Sequence, residues 1–166
     1  MANSTKDRAP ASTHKKVVVM LFDRTPIKGY VNPGELGRDG SIDLLTPDGA
    51  HRPVSLPAVK CVYFVREFQE TFQPERKVFL SRPKLEGLWV KIRFMDDGLL
   101  EGVIPNDLLN LLDQGVQITP PDFNGNADRI YVPRSALAEL TVLGVVGIAK
   151  RKAASAAAEQ PRLFTE

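Results

Sequence analysis

The sequence predicts an all-β protein of two tandem five-stranded small barrels with flexible N- and C-terminal tails. Three observations carry this expectation. First, the chain repeats itself. Val17–Val31 aligns with Val90–Ile104 at a constant offset of 73, with Val17/Val90, Asp23/Asp96 and Gly29/Gly102 identical. Ile42–Asp48 then aligns with Val116–Asp122 at an offset of 74, and Ala58–Val65 with Ala136–Leu143 at an offset of 78. The offset grows only where a loop can absorb residues, as in a supersecondary unit copied in tandem. Second, the apolar residues alternate with a period of two, the period of a strand with one buried face. Third, Gly, Pro and Asp clusters punctuate the chain at the short spacing of small all-β folds.

The elements follow in order. In the second unit Val90, Ile92 and Phe94 alternate with Lys91, Arg93 and Met95, a half-buried strand. Met95–Gly98 is a hairpin turn in which Asp-Gly supplies the positive φ. Leu99–Ile104 returns, with Gly102 marking a bend or a close backbone approach. Val116–Thr119 is a third strand stopped by Pro120-Pro121, and Arg129–Val132 is a fourth. Pro133–Ala136 forms a short helical turn, and Leu137–Val146 is the fifth strand. The first unit keeps this order: Lys16–Phe22, Ile27–Val31, Ile42–Leu45, Val54–Leu56, a turn at Pro57-Ala58, and Cys61–Arg66. Five short strands with a one-turn helix before the last suit a small, strongly bent barrel, and glycine in the second strand lets it curl.

The expected organisation is a disordered lead at 1–14, a first barrel at 15–67, a connector at 68–86, a second barrel at 87–147 and an Ala-rich tail at 148–166. The lead is rich in Ser, Thr, Pro and Ala without apolar periodicity. The connector holds Phe68, Phe72 and Phe79, which are expected to cover a sheet edge or the seam between barrels. The tail favours helix up to Pro161.

The net charge of +2 hides an asymmetry. Residues 15–67 carry 8 basic and 6 acidic side chains, whereas 86–144 carry 4 and 9. The segments 68–85 and 145–166 each carry 4 and 2. The acidic second unit as a whole does not offer the clustered Lys and Arg of a phosphate-binding surface. The single cysteine, Cys61, excludes an internal disulfide and sits in the apolar run VKCVYFV as a small buried hydrophobe. No apolar run is long enough to span a bilayer and the lead has no secretory hydrophobic segment, so no membrane partner and a cytoplasmic location are expected.

With strands and turns in place, Lys15–Phe68 and Leu85–Gly147 resemble a bacterial family of uncharacterised proteins built from two Sm-like small barrels. The resemblance rests on GLWVKIRFMDDGLLEGV, QITPPD and RIYVPRSALAEL in the second unit, and on KKVVVMLFD, LLTPDG and VKCVYFVREF in the first. It implies the fold and brings no activity with it. Sm-like proteins also place an Asp-x-φ-Asn-φ stretch after the bent second strand, in a loop that holds RNA bases. Asp107-Leu-Leu-Asn110-Leu111 has that form. Their companion element is an Arg-Gly pair between the last two strands; Arg134 sits there, but Ser135 replaces the glycine and Pro133 precedes it. The first unit has neither element. The resemblance thus implies half an RNA site in one unit, at Asp107, Asn110 and Arg134. The plain structural alternative for 106–112 is a helical turn capped by Asn106 with its leucines packed on the barrel mouth.

Residues for catalysis are sparse. His14 and His51 lack a nucleophile or a second ligand at metal spacing, and Asp96-Asp97 belong to a hairpin turn rather than an acid/base pair. Asp23 at the twin position favours that structural role. No glycine-rich phosphate loop and no Cys/His cluster occurs, so no enzyme activity, cofactor or metal is expected. The tail segment Gln160-Pro-Arg-Leu163-Phe164 resembles the short peptide by which bacterial replication and repair proteins hold the sliding clamp. Leu163 and Phe164 would be the apolar anchors and Gln160 would fix register, with Pro161 and Arg162 departing from the usual pattern. The expectation is a non-enzymatic scaffold that binds protein partners. RNA or single-stranded DNA binding and sliding-clamp recruitment are the competing expectations.

Overall fold

The structure, a computed structural model, describes residues 13–73, 76–107, 109 and 114–147. They form ten strands: β1 (Lys15–Leu21), β2 (Pro26–Val31), β3 (Ser41–Leu45), β4 (His51–Ser55), β5 (Val59–Val65), β6 (Gly87–Phe94), β7 (Leu99–Ile104), β8 (Gly115–Ile118), β9 (Ala127–Pro133) and β10 (Leu137–Val146). Short 3-10 turns at Leu56–Ala58 and Arg134–Ala136 precede the fifth strand of each half, at equivalent positions of the repeat.

The strands make two antiparallel sheets, one of seven strands in the order β4-β3-β2-β1-β5-β9-β8 and one of three in the order β10-β6-β7. Neither sheet closes into a barrel. The expected five-plus-five partition gives way because β5 uses both its edges. It pairs with β1 on one side and with β9 on the other, Val62 opposite Tyr131 and Phe64 opposite Arg129. That pairing draws β9 and β8 of the second half into the first sheet. β7 is bridged to the end of β8 by the reciprocal backbone bonds of Val103 and Thr119, at 3.0 and 2.9 Å. The bend is visible at Gly102, where a Cβ would come within 3.0 Å of the Ile118 side chain and 3.2 Å of the Thr119 carbonyl.

Two apolar cores lie on opposite faces of the shared strands. Val17, Val19, Ile42, Leu44, Val62, Phe64 and Tyr131 belong to one, and Cys61, Val90, Ile92, Ile118, Ile130 and Val132 to the other. β5 therefore supplies Val62 and Phe64 to the first core and Cys61 to the second, with Tyr63 packed against the second. Burial on both faces explains why β5 reads as an almost unbroken apolar run, whereas β6 alternates. Each fully buried Val or Ile side chain is worth roughly 1.5–3 kcal/mol of transfer free energy.

The two hairpin turns share their local geometry. In the first hairpin Arg24 donates its amide to the Leu21 carbonyl at 3.0 Å and the Thr25 amide donates to Asp23 Oδ1 at 2.9 Å. In the second, Asp97 donates to the Phe94 carbonyl at 2.9 Å and the Gly98 amide to Asp96 Oδ1 at 3.1 Å. The positive φ sits at Arg24 (70°) and at Asp97 (65°), the aspartate of the expected Asp-Gly pair. A Cβ at Gly98 would lie 2.8 Å from Lys60 Nζ, the free end of a flexible side chain.

The connector rings pack on aromatic side chains of interior strands. Phe68 meets Tyr30 edge-on at 5.5 Å between centroids, Phe72 meets Tyr63 at 4.7 Å and Phe79 meets Trp89 at 6.4 Å. Among the described residues no helix is long and apolar enough to cross a membrane.

Candidate functional site

The two equivalent hairpin turns, β5 and the connector enclose a cleft of about 500 Å³. The repeat puts the turns there, and the β5–β9 pairing brings the halves together so that both turns line one hollow. Its apolar surface comes from Met20 and Leu21 at the end of β1, Tyr63 of β5, Phe94 of β6, Leu99 and Leu100 of β7 and Phe72 of the connector. Pro120 and Ile130 complete it. Arg24, Arg76 and Lys77 add cationic side chains, and Gln73, Asp122 and Asn126 add polar ones.

Lys60 and Asp96 sit in the same lining. Lys60 Nζ donates to Asp96 Oδ2 at 2.8 Å and lies 4.8 Å above the centre of the Phe94 ring. The Lys60 hydrogen bond is the main influence holding the Asp96 carboxyl below its usual range; burial opposes it and the Gly98 amide adds to it. Behind the wall lies Cys61, 1% exposed. Burial pushes its thiol up to about 12, only partly offset by a hydrogen bond with Tyr63. The Tyr63 phenol is likewise raised, by burial first and then by the neighbouring thiol. Neither group is poised to ionise near neutral pH, so the thiol does not present a nucleophile to the cleft. The lining is suited to holding an apolar group beside an anionic one.

A second hollow of about 660 Å³ lies between the β2–β3 loop, with Pro33, Leu36 and Arg38, and the start and end of the β7–β8 loop, at Pro105 and Gln114, with Tyr131 beside it. Asp107 falls at the start of that second loop, and Arg134, in the 3-10 turn between β9 and β10, lies beside its end. The Asp107 amide donates to the Pro105 carbonyl at 2.8 Å, and the Arg134 amide to the Gln114 carbonyl at 2.9 Å. Asp107 Oδ1 accepts the Leu109 amide at 3.0 Å, while most of the turn expected at 106–112 lies outside the described residues. Leu109 is 73% exposed and does not pack on a core. Asn110, Gln160, Leu163 and Phe164 lie outside the described residues. His51 is exposed, but its Nδ1 stands 3.3 Å from Asp43 Oδ1, a partner the sequence did not suggest. Among the described residues no three His, Cys, Asp or Glu side chains gather as a metal site would need.

Sequence reasoning did not single out Arg24, Lys60, Tyr63, Arg76 or Lys77. Two signals pointed there: the basic excess of the connector next to Phe72, and the unbroken apolar run of β5.

The fold and cleft define an all-β protein with a ligand-sized hollow where the two halves of its repeat meet. The chain belongs to the Family of unknown function (DUF6982), whose model matches residues 13–144. No curated protein and no solved structure matches it.

Proposed function

We propose that the chain is a non-enzymatic interaction module of two Sm-like small barrels, working in the cytoplasm, and that the cleft at their joint binds a peptide segment of a protein partner. The segment carries a bulky apolar anchor flanked by acidic residues. The observation that carries this reading is the chemistry of the cleft. Apolar and aromatic side chains accept the anchor, while Arg24, Arg76 and Lys77 supply positive charge that no acidic residue in the lining matches one for one. The Sm-like reading is supported by strand order. The first five strands run β5-β1-β2-β3-β4; the last five run β10-β6-β7, then across the Val103–Thr119 bridge to β8 and β9.

Selection from a displayed random peptide library on the immobilised full chain tests this. Enriched peptides should pair Phe, Leu or Trp with neighbouring Asp or Glu. Arg76→Glu with Lys77→Glu should weaken them at least about tenfold, the loss of roughly 1.4 kcal/mol expected of two charge contacts. No enrichment, or peptides indifferent to the reversal, would overturn the reading.

RNA or single-stranded DNA binding stays as a second reading because cations and aromatic rings adjoin in the same cleft. In the cleft it requires affinity that falls steeply with salt and drops on Arg76→Ala with Lys77→Ala; at the Sm-like loop it requires a drop on Asn110→Ala or Arg134→Ala. At the loop, the Asp107 carboxylate already accepts the Leu109 amide, which counts against that form of the reading. Clamp recruitment by Gln160–Phe164 is a separate proposal resting on sequence, and Leu163→Ala with Phe164→Ala should abolish it.

A further inference from the structure

We propose that the protein self-associates as a two-fold dimer through the free edge of β10, the strand of one copy lying antiparallel to the same strand of a second. The repeat supplies the argument. β10 is the counterpart of β5 at an offset of 78, so Val62, Tyr63, Phe64 and Val65 correspond to Leu140, Thr141, Val142 and Leu143. β5 is covered by β9, leaving Phe64 3% and Val65 7% exposed. Among the described residues β10 pairs only with β6, and Val142 and Leu143 are 50% and 41% exposed. Leu140–Val146 (LTVLGVV) thus has the unbroken apolar pattern of a strand covered on both sides, without the cover.

Hydrogen-bond parity shows which backbone groups are free. Phe94 donates to the Gly98 carbonyl, so alternate residues Phe94, Ile92 and Val90 face β7, while Arg93 and Lys91 face β10. Their partners Glu139 and Thr141 therefore point into the sheet, and Leu140 and Val142 point their amides and carbonyls outward. At the far end the outward carbonyl of Val145 is already taken by the Arg82 guanidinium. The open row is thus Leu140–Val142, ending at the bulge that Leu143 makes between Val142 and Gly144, an apolar edge that can pair with another strand.

The competing occupant is β4 of another copy, since β4 is the counterpart of β9. Pro53 blocks it. The Thr46 amide donates to the Ala50 carbonyl, and by the same alternation Arg52 faces β3 while Pro53 faces the free edge. Proline there leaves the β3–β4 ladder whole and removes the donor that an incoming strand needs. Exposed His51 and Arg52 flank it. Tyr131, the residue at the matching position of β9, keeps its amide. Head-to-tail growth is therefore blocked on one side, and the unblocked edge has itself as its complement, giving an isologous interface.

Sedimentation equilibrium on the full chain tests this. The native protein should approach twice 18.3 kDa as concentration rises, and Val142→Lys and Leu143→Lys should each hold it at 18.3 kDa with circular dichroism unchanged. Single cysteines at Thr141, Val142 and Leu143 add a positional readout, Cys61 being buried and silent. At least one should form a self-linked disulfide dimer. A monomer at every concentration would overturn the proposal. So would cross-linking of His51→Cys protein to Val142→Cys protein without self-linking, or dimerisation that appears only after residues 148–166 are removed.

Discussion

Lys60 Nζ and Asp96 Oδ2, 2.8 Å apart, tie the last strand of the first half to the first hairpin of the second across the floor of the cleft. The side chains are 22% and 38% exposed, so the pair is screened and modest in energy. Its value lies in position. It fixes Lys60 over Phe94, sets the course of the turn at Gly98 and leaves Arg24, Arg76 and Lys77 as the cations not committed to it.

Asp96→Asn should therefore destabilise the protein only slightly, by about 0.5 kcal/mol. Because the folded carboxyl is held below its ordinary 3.8, the contribution is complete above that value and is lost as pH falls through the lower folded one. Urea unfolding should separate the native and variant proteins at neutral pH, and the gap should close in acid. A gap that persists in acid would mean the asparagine acts through the turn instead of through charge.

Cys61 should be inert to a thiol reagent in the folded protein at mildly alkaline pH, because burial keeps its thiol protonated up to about 12. Reaction should appear only with opening of the fold, so its rate should rise in parallel with added urea. Rapid stoichiometric labelling without denaturant would contradict the buried position.

Gly29 and Gly102 stand at the same place in the repeat but have different room. A Cβ at Gly29 would lie 2.6 Å from Leu44 Cδ1 and 2.7 Å from the Leu45 carbonyl; at Gly102 the nearest atoms are 3.0 Å away on Ile118. Both alanine variants should be destabilised, by roughly 1–3 kcal/mol, with Gly29→Ala the worse. Equal thermal shifts, or the reverse order, would contradict the packing at β2 and β7.

The two halves should unfold together. β5 is buried on both faces, and excising residues 13–67 would expose Cys61 and Tyr63 while removing Tyr131 from the first core. The full chain should show one cooperative transition, and the excised half should give no folded-state signal. Val62→Ala should cost about 2 kcal/mol or more across that single transition. Two separable transitions would contradict the shared strand.

Much of this was legible in the residues. Alternation in β6, the Asp-centred hairpins and the one-turn helices before β5 and β10 rest on local physics, and the structure has them within a residue or two. The partition of strands between sheets was not legible, because it depends on which edge of β5 finds a partner, a long-range choice with no local marker. The run Val59–Val65 did carry a hint, since two-sided burial suppresses alternation. The cleft was harder still. Lys60 and Asp96 are far apart in sequence, and only the β5–β9 pairing makes their proximity intelligible. Asp107 and Arg134 matched a motif, yet motif spacing says nothing of whether a carboxylate is already occupied, as Asp107 is by the Leu109 amide.

The most direct test of the proposed cleft is amide hydrogen exchange on the full chain with and without a selected acidic, apolar peptide. The account predicts added protection in β5, in the turn from Asp96 to Leu100 and around Arg76 and Lys77. Protection confined to the β7–β8 loop, or none anywhere at saturating peptide, would contradict it.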